Sequence, residues 1–167
     1  MAAEDIVEGS EVNGQVSIRF ATAVADPENP TVAEWDDATP ITYQLTTSGY
    51  THTVTAERLT TGRFSLANAL QKEGKITDEI SITYVYENDL SDPISTTLDK
   101  GVTGFILERW GIENGLAGAA GQTVDVIPVE AGIGAKLAPG DSDPELTRTK
   151  NLNVIGEVHR DVKLVAA

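Results

Sequence analysis

The sequence predicts a mainly β fold: an antiparallel β-sandwich or barrel of about seven or eight strands with one or two short flanking α-helices. Three observations carry this prediction. Apolar and polar residues alternate with period two over much of the chain. Threonine and branched aliphatic residues, stiff at χ1 and suited to a pleated surface, crowd those stretches. Glycine, proline, aspartate and asparagine cluster between them as turn signals.

The first residues, Met1 to Gly14, carry Glu4, Asp5, Glu8 and Glu11 with no basic residue and little periodicity. They predict a flexible acidic N-terminal arm over residues 1–15, followed by one β-domain over 16–167. Val16 to Phe20 alternates as a half-buried strand does, and Asp26 to Pro30 breaks it as a turn. Thr31 caps a short helical turn through Glu34, Trp35 and Asp36. Next, Ile41, Tyr43 and Leu45 share one strand face, with Thr42, Gln44 and Thr46 on the other. Ser48-Gly49 reads as a reversal into a return strand, giving a hairpin from Ile41 to Thr60. Arg63 to Gly74 reads as a weak helix, capped by Ser65 and stopped by Gly74.

Ile80 to Tyr86 is the clearest strand of the middle region. Asp92 before Pro93 is a cap-then-N1 arrangement, so a helix over Pro93 to Asp99 is expected, closed by Gly101. Phe105 to Trp110 reads as a buried strand, and the Gly/Ala-rich 111–121 as a flexible connection. Thr123 to Val129 forms another strand, with Asp125 turned outward between Val124 and Val126. Residues 131–145 read as a loop. Leu152, Val154, Val158, Val162 and Leu164 share one parity in a long last strand, interrupted at Gly156 and Arg160.

Composition narrows the function classes. A chain of 167 residues suffices for one domain with a real core. Its 40% apolar and 23% charged content suits neither a disordered nor a membrane chain. No apolar run approaches the roughly 18 residues of a spanning helix. The N-terminus lacks the basic-then-apolar order of a secretory signal, so synthesis inside the cell is expected. Cysteine is absent, which removes disulfides, thiolate metal sites and thiol nucleophiles. Twelve basic residues against 26 acidic ones give a net charge of −14. Such a surface repels phosphate, which argues against a nucleic-acid groove and against an anionic membrane.

No catalytic, metal or cofactor site is expected from the residues. His52 and His159 lie on strands as solvent-facing residues without a metal-ligand spacing. The glycines of 115–121 lack the Gly-Lys-Ser/Thr of a phosphate loop and precede a strand instead of a helix. Asp36-Asp37, Glu87-Asn88-Asp89 and Asp141-Ser142-Asp143 do not match a calcium-loop pattern and read as solvated turns. Two Trp, four Tyr and three Phe leave little material for a sugar-binding platform. The chain is therefore expected not to be an enzyme.

The segment from Val24 to Trp35 resembles one that recurs in major tail proteins, the tail tube subunits of long-tailed phages, particularly phages of actinobacteria. Its core is Ala25-Asp26-Pro27, then Pro30-Thr31 and Ala33-Glu34. Later landmarks follow in a similar order: Asp92 to Leu98, Gly101 to Ile106, and Gly121 to Val129. The resemblance covers roughly Val16 to Val165 and departs at Gly115 to Ala120. It implies six-membered rings stacked around a tape measure protein into a hollow tube, meeting tail terminator or baseplate proteins. DNA would pass the lumen without specific binding, after assembly in the host cytoplasm.

On that resemblance Thr42, Gln44, Thr46, Thr51, Thr53 and Glu57 are candidates to face the lumen. Glu4, Asp5, Glu8 and Glu11 of the arm, with Lys136, Asp141 and Asp143 of the 131–149 region, are candidates for contacts between subunits or rings. Two other readings stay open: a capsid decoration or head–tail joining protein, and a stand-alone binding β-sandwich.

Overall fold

Alternation turns into strands where expected, and the strands run further than the pattern marks. The computed structural model describes residues 13–65, 67–140 and 145–166. Within them the order is β1 (Val16–Ala21), α1 (Val32–Asp37), β2 (Thr39–Pro40), a 3-10 turn (Thr42–Gln44), β3 (Leu45–Thr61) and β4 (Leu70–Val85). Then come α2 (Pro93–Thr97), β5 (Thr103–Trp110), β6 (Thr123–Lys136), β7 (Thr147–Val154) and β8 (His159–Lys163). The eight strands make one antiparallel sheet in the order β2-β1-β5-β6-β7-β4-β3, with β8 also on β6.

Both helices start as their caps dictate. The Thr31 side chain accepts from Glu34 N while the Glu34 carboxylate accepts from Thr31 N, closing a capping box on α1. Asp92 accepts from Ser95 N beneath Pro93, and α2 ends two residues short of the expected Asp99. Gly101, at φ +83°, turns the chain into β5.

Five expectations about these elements are corrected. Ser48-Gly49 is not a reversal, because β3 continues through it to Thr61. A Cβ on Gly49 would collide with the Thr83 carbonyl, so this glycine permits close approach of two strands. Thr42–Gln44, capped by Ile41, is a 3-10 turn, not a strand. The weak helix over 63–74 is instead the tip of the β3–β4 hairpin and the beginning of β4. Residues 131–136 belong to β6, and the long last strand is two strands with different partners.

Alternation on the central strands serves two cores. One face gathers Ile18, Phe20, Ile80, Ile82, Tyr84, Ile94, Leu98, Ile106, Ile127 and Val129. These come from strands far apart in the sheet order, so the sheet curls over itself, and α2 packs into the same cluster. The opposite face packs Leu107, Val124, Val126 and Leu164 against Trp35 of α1. Asp125 thus points away from the second core and toward the inner face, half-buried, not outward as expected.

The 111–121 connection is held in place. Arg109 is fully buried, and its guanidinium donates to the carbonyls of Glu113, Leu116 and Ala117 and to Gln122 Oε1. It also lies 4.7 Å over the Trp35 ring, which Arg19 approaches at 5.0 Å. Planar forked donors are what several diverging carbonyls require, and lysine cannot supply them. Arg109→Met should leave those carbonyls without partners and lower unfolding free energy by about 2–4 kcal/mol, read from the urea midpoint.

Candidate functional site, an ionic clamp beneath a projecting ribbon

β7 covers β4 only from Ile80 to Val85. Beyond that point, among the described residues, β3 and β4 pair with each other alone, from Thr53–Glu79 to Thr61–Leu70. At about 3.3 Å per residue, this two-stranded ribbon extends roughly 25–30 Å past the sheet. An isolated ribbon of this kind is marginally stable by itself, so its root has to be anchored.

The anchor is a buried polar cluster where the inner face of the sheet ends. Glu108 of β5 is 3% exposed and accepts from Tyr50 Oη and from Trp110 Nε1, the latter at 3.0 Å. His52 Nδ1 lies 3.1 Å from Glu108, and its Nε2 lies 2.8 Å from Asp78 of β4. Arg160 of β8 pairs with the same Asp78 oxygen. With a carboxylate on each ring nitrogen, His52 has to donate from both, which only imidazolium can do. The cluster therefore joins both ribbon strands to β5 and β8 through His52, Asp78, Glu108 and Arg160.

The cluster's titration follows from these partners. Hydrogen bonding to Glu108 raises the His52 pKa above its ordinary 6.5, opposed by burial and helped by Asp78. Burial would raise Asp78 and Glu108, but hydrogen bonds from His52 and their other donors outweigh it and hold both below their ordinary values. Asp125, facing Glu108 across the β5–β6 pair, is raised by burial and by that like charge. It accepts from Asp161 N at 2.7 Å. Desolvation and Glu108 push Tyr50 well upward, so it stays a donor.

The candidate residues that the structure describes have definite places. Thr42 Oγ1 bonds the backbone of Ile18, Gln44 Oε1 accepts from Ile94 N at 3.0 Å, and Thr46 Oγ1 donates to Thr83 O at 3.4 Å. The first two therefore hold the 3-10 turn to the body, and the third ties β3 to β4. Thr51 and Thr53 stand exposed on the outer face beside Glu79, Ser81, Asn151 and Asn153, lining a groove of about 480 Å³. Glu57 is exposed at a register shift in the ribbon, and Lys136 ends β6 with Nζ 6.0 Å from the Tyr86 ring centre. Glu4, Asp5, Glu8, Glu11, Asp141 and Asp143 lie outside the described residues.

His52 is the residue that sequence reasoning misplaced, since its alternation with threonines matched a solvent-facing position. The only available signal was the set His52, Asp78 and Glu108 on three strands, which no sequence spacing connects.

Two measurements test the clamp. A raised histidine contributes stability fully below pH 6.5 and loses it as pH climbs through its folded value. The lowered carboxylates contribute above their unfolded values, 3.8 and 4.5, and lose it on acidification. Stability from the clamp is thus greatest between about pH 4.5 and 6.5 and declines on either side. His52→Ala, which takes from Glu108 and Asp78 the cation they share, should cost about 2–3 kcal/mol at pH 6 and flatten the alkaline limb of the profile. A slope between pH 6.5 and 9 identical to wild type would remove His52 from this role.

Comparison with known proteins agrees with this architecture. A family model described as phage tail tube protein matches residues 4–167. Among solved structures, a chain of the anti-feeding prophage baseplate, determined by cryo-EM with six-fold symmetrisation, superposes with a TM-score of 0.51. The two are 10% identical over 95% of this chain and 96% of that one, a likeness that shows the fold alone. No curated protein matches the sequence. Because the family model matches residues 4–167, nearly the whole sequence, the chain belongs to the phage tail tube protein family.

Proposed function

We propose that copies of this chain join through their open sheet edges into six-membered rings, which stack into the hollow tube that conducts DNA through the tail. Family membership makes the chain a structural component of the phage tail, and that family is not enzymatic. The observation that carries the finer reading is the edge itself. Among the described residues, β3 ends the sheet order with no partner on the outer edge of its 17 residues, and β4 is likewise open from Leu70 to Glu79. Open edges of this length are an aggregation hazard for a monomer and a template for pairing between identical subunits.

A channel lining also has to let DNA slide. The outer face near the ribbon root presents Thr51, Thr53, Ser81, Asn151 and Asn153 with the acid Glu79. Uncharged hydroxyl and amide groups beside carboxylates give phosphate no cation to hold. Six copies at −14 each carry about −84, which repels the polyanion and also delays uncontrolled polymerisation of free subunits. The tape measure protein inside, and terminator or baseplate proteins at the ends, are the partners this reading requires. Assembly takes place in the host cytoplasm.

Negative-stain microscopy of concentrated protein should show open-centred rings or tubes. Light scattering should report faster assembly at about 0.5 M salt than at 0.05 M, because screening removes the self-repulsion. Equal rates would exclude an electrostatic brake. Thr51→Lys/Thr53→Lys should leave the fold intact and slow DNA ejection from reconstituted phage, since the added cations would grip phosphate; unchanged ejection would take these residues out of the lumen.

A further inference from the structure

The ribbon beyond the clamp carries apolar side chains that the described residues leave uncovered. Val54, Leu59, Leu70 and Ile76 are 51%, 52%, 53% and 47% exposed, and Phe64 at the tip is fully exposed. They do not share a face. Val54 and Ile76 lie on the side continuous with the inner core, because Val54 pairs with Asp78, Ala56 with Ile76, and His52 with Ile80. Between the pairs Ala56–Ile76 and Arg58–Glu73 the register slips by one residue, so Gly74 and Lys75 together oppose Glu57. A Cβ on Gly74 would stand 3.0 Å from Leu59 Cγ and 3.3 Å from Glu57 Cβ, which puts Glu57 and Leu59 on one side. Alternation from Val54 and Ala56 makes this the opposite side, and Leu70 follows Leu59 there through the Leu59–Lys72 and Thr61–Leu70 pairs.

Charge is segregated as well. Over residues 57–75, Arg58, Arg63, Lys72 and Lys75 outnumber Glu57 and Glu73, giving +2 and leaving −16 on the rest of the chain. From Phe20 to Glu57 there is no lysine or arginine, while Asp26, Glu28, Asp36 and Asp37 are all exposed. A basic projection and an acidic body on the same molecule complement each other between copies.

We propose that each ribbon is inserted between two other copies of this chain, one covering Val54, Ala56 and Ile76 near the root and the other covering Leu59 and Leu70 near the tip. One partner surface cannot bury both sets, because they stand on opposite sides of a ribbon one layer thick. The basic residues of the tip draw it to the acidic bodies, and the ionic clamp fixes the angle at which it projects. The switch of apolar face at Glu57 sets where one neighbour's cover ends and the next begins. This inference rests on the tube reading and names the contact through which the tube is held.

The test uses the full-length chain and two double variants, Val54→Asp/Ile76→Asp and Leu59→Asp/Leu70→Asp. All four positions are about half exposed, so circular dichroism and melting temperature should stay near wild type. Assembly is read by sedimentation velocity and negative-stain microscopy. Each variant should need at least ~10-fold more protein to assemble, or stop at small oligomers, since each loses one of two covers. In addition, Arg58→Glu/Lys72→Glu should fail alone and recover when mixed with Asp36→Lys/Asp37→Lys protein. Should either apolar variant build tubes at the wild-type concentration, two-sided insertion is overturned and the tube reading stands. A wild type that stays monomeric at every concentration overturns the tube reading, and the insertion with it.

Discussion

A carboxylate with almost no access to water, as Glu108 has, persists only when surrounding donors replace the lost hydration. Here the donors come from elsewhere in the chain: Tyr50 and His52 from the hairpin and Trp110 from the same strand. Asp78 repeats the arrangement with His52 and Arg160. The consequence is mechanical. A ribbon with few contacts of its own is coupled to the body at its root, and the position of everything distal to that root follows from the clamp.

The same strands divide their labour along their length. Proximal β4 buries Ile80, Ile82 and Tyr84 in the inner core, and the next inward residue, Asp78, enters the clamp. Past it the inward face becomes apolar again at Ile76, which the described residues leave about half exposed. A monomer would be better off with polar residues there, so this patterning makes sense for a subunit whose ribbon finishes folding against neighbours. Open edges, uncovered apolar groups and opposite charges on ribbon and body all have that same resolution.

The acidic composition acts at two ranges. Over distances near the Debye length, −14 on every copy opposes encounter. At contact, the basic tip and the acidic body attract. In the proposed tube, a subunit with this distribution would stay dispersed until alignment brought the favourable pairs within reach, and the face of Thr51, Thr53 and Glu79 would offer DNA no cation.

Sequence alone determined the class of fold, both helix starts and five of the strand locations, because period-two alternation and side-chain caps are local properties. The order of landmarks from Ala25 to Val129 also pointed to the right family. Tertiary structure decided the rest for reasons that local pattern does not encode. Gly49 looked like a turn because glycine serves reversals and close strand approach equally well, and only the Thr83 carbonyl distinguishes them. Asp125 looked outward because alternation cannot tell a solvated face from a second core. The clamp was invisible because His52, Asp78, Glu108 and Arg160 sit on four strands and meet only after the sheet has curled. Contacts of that kind are fixed by the path of the chain in space, and a linear spacing holds no record of them.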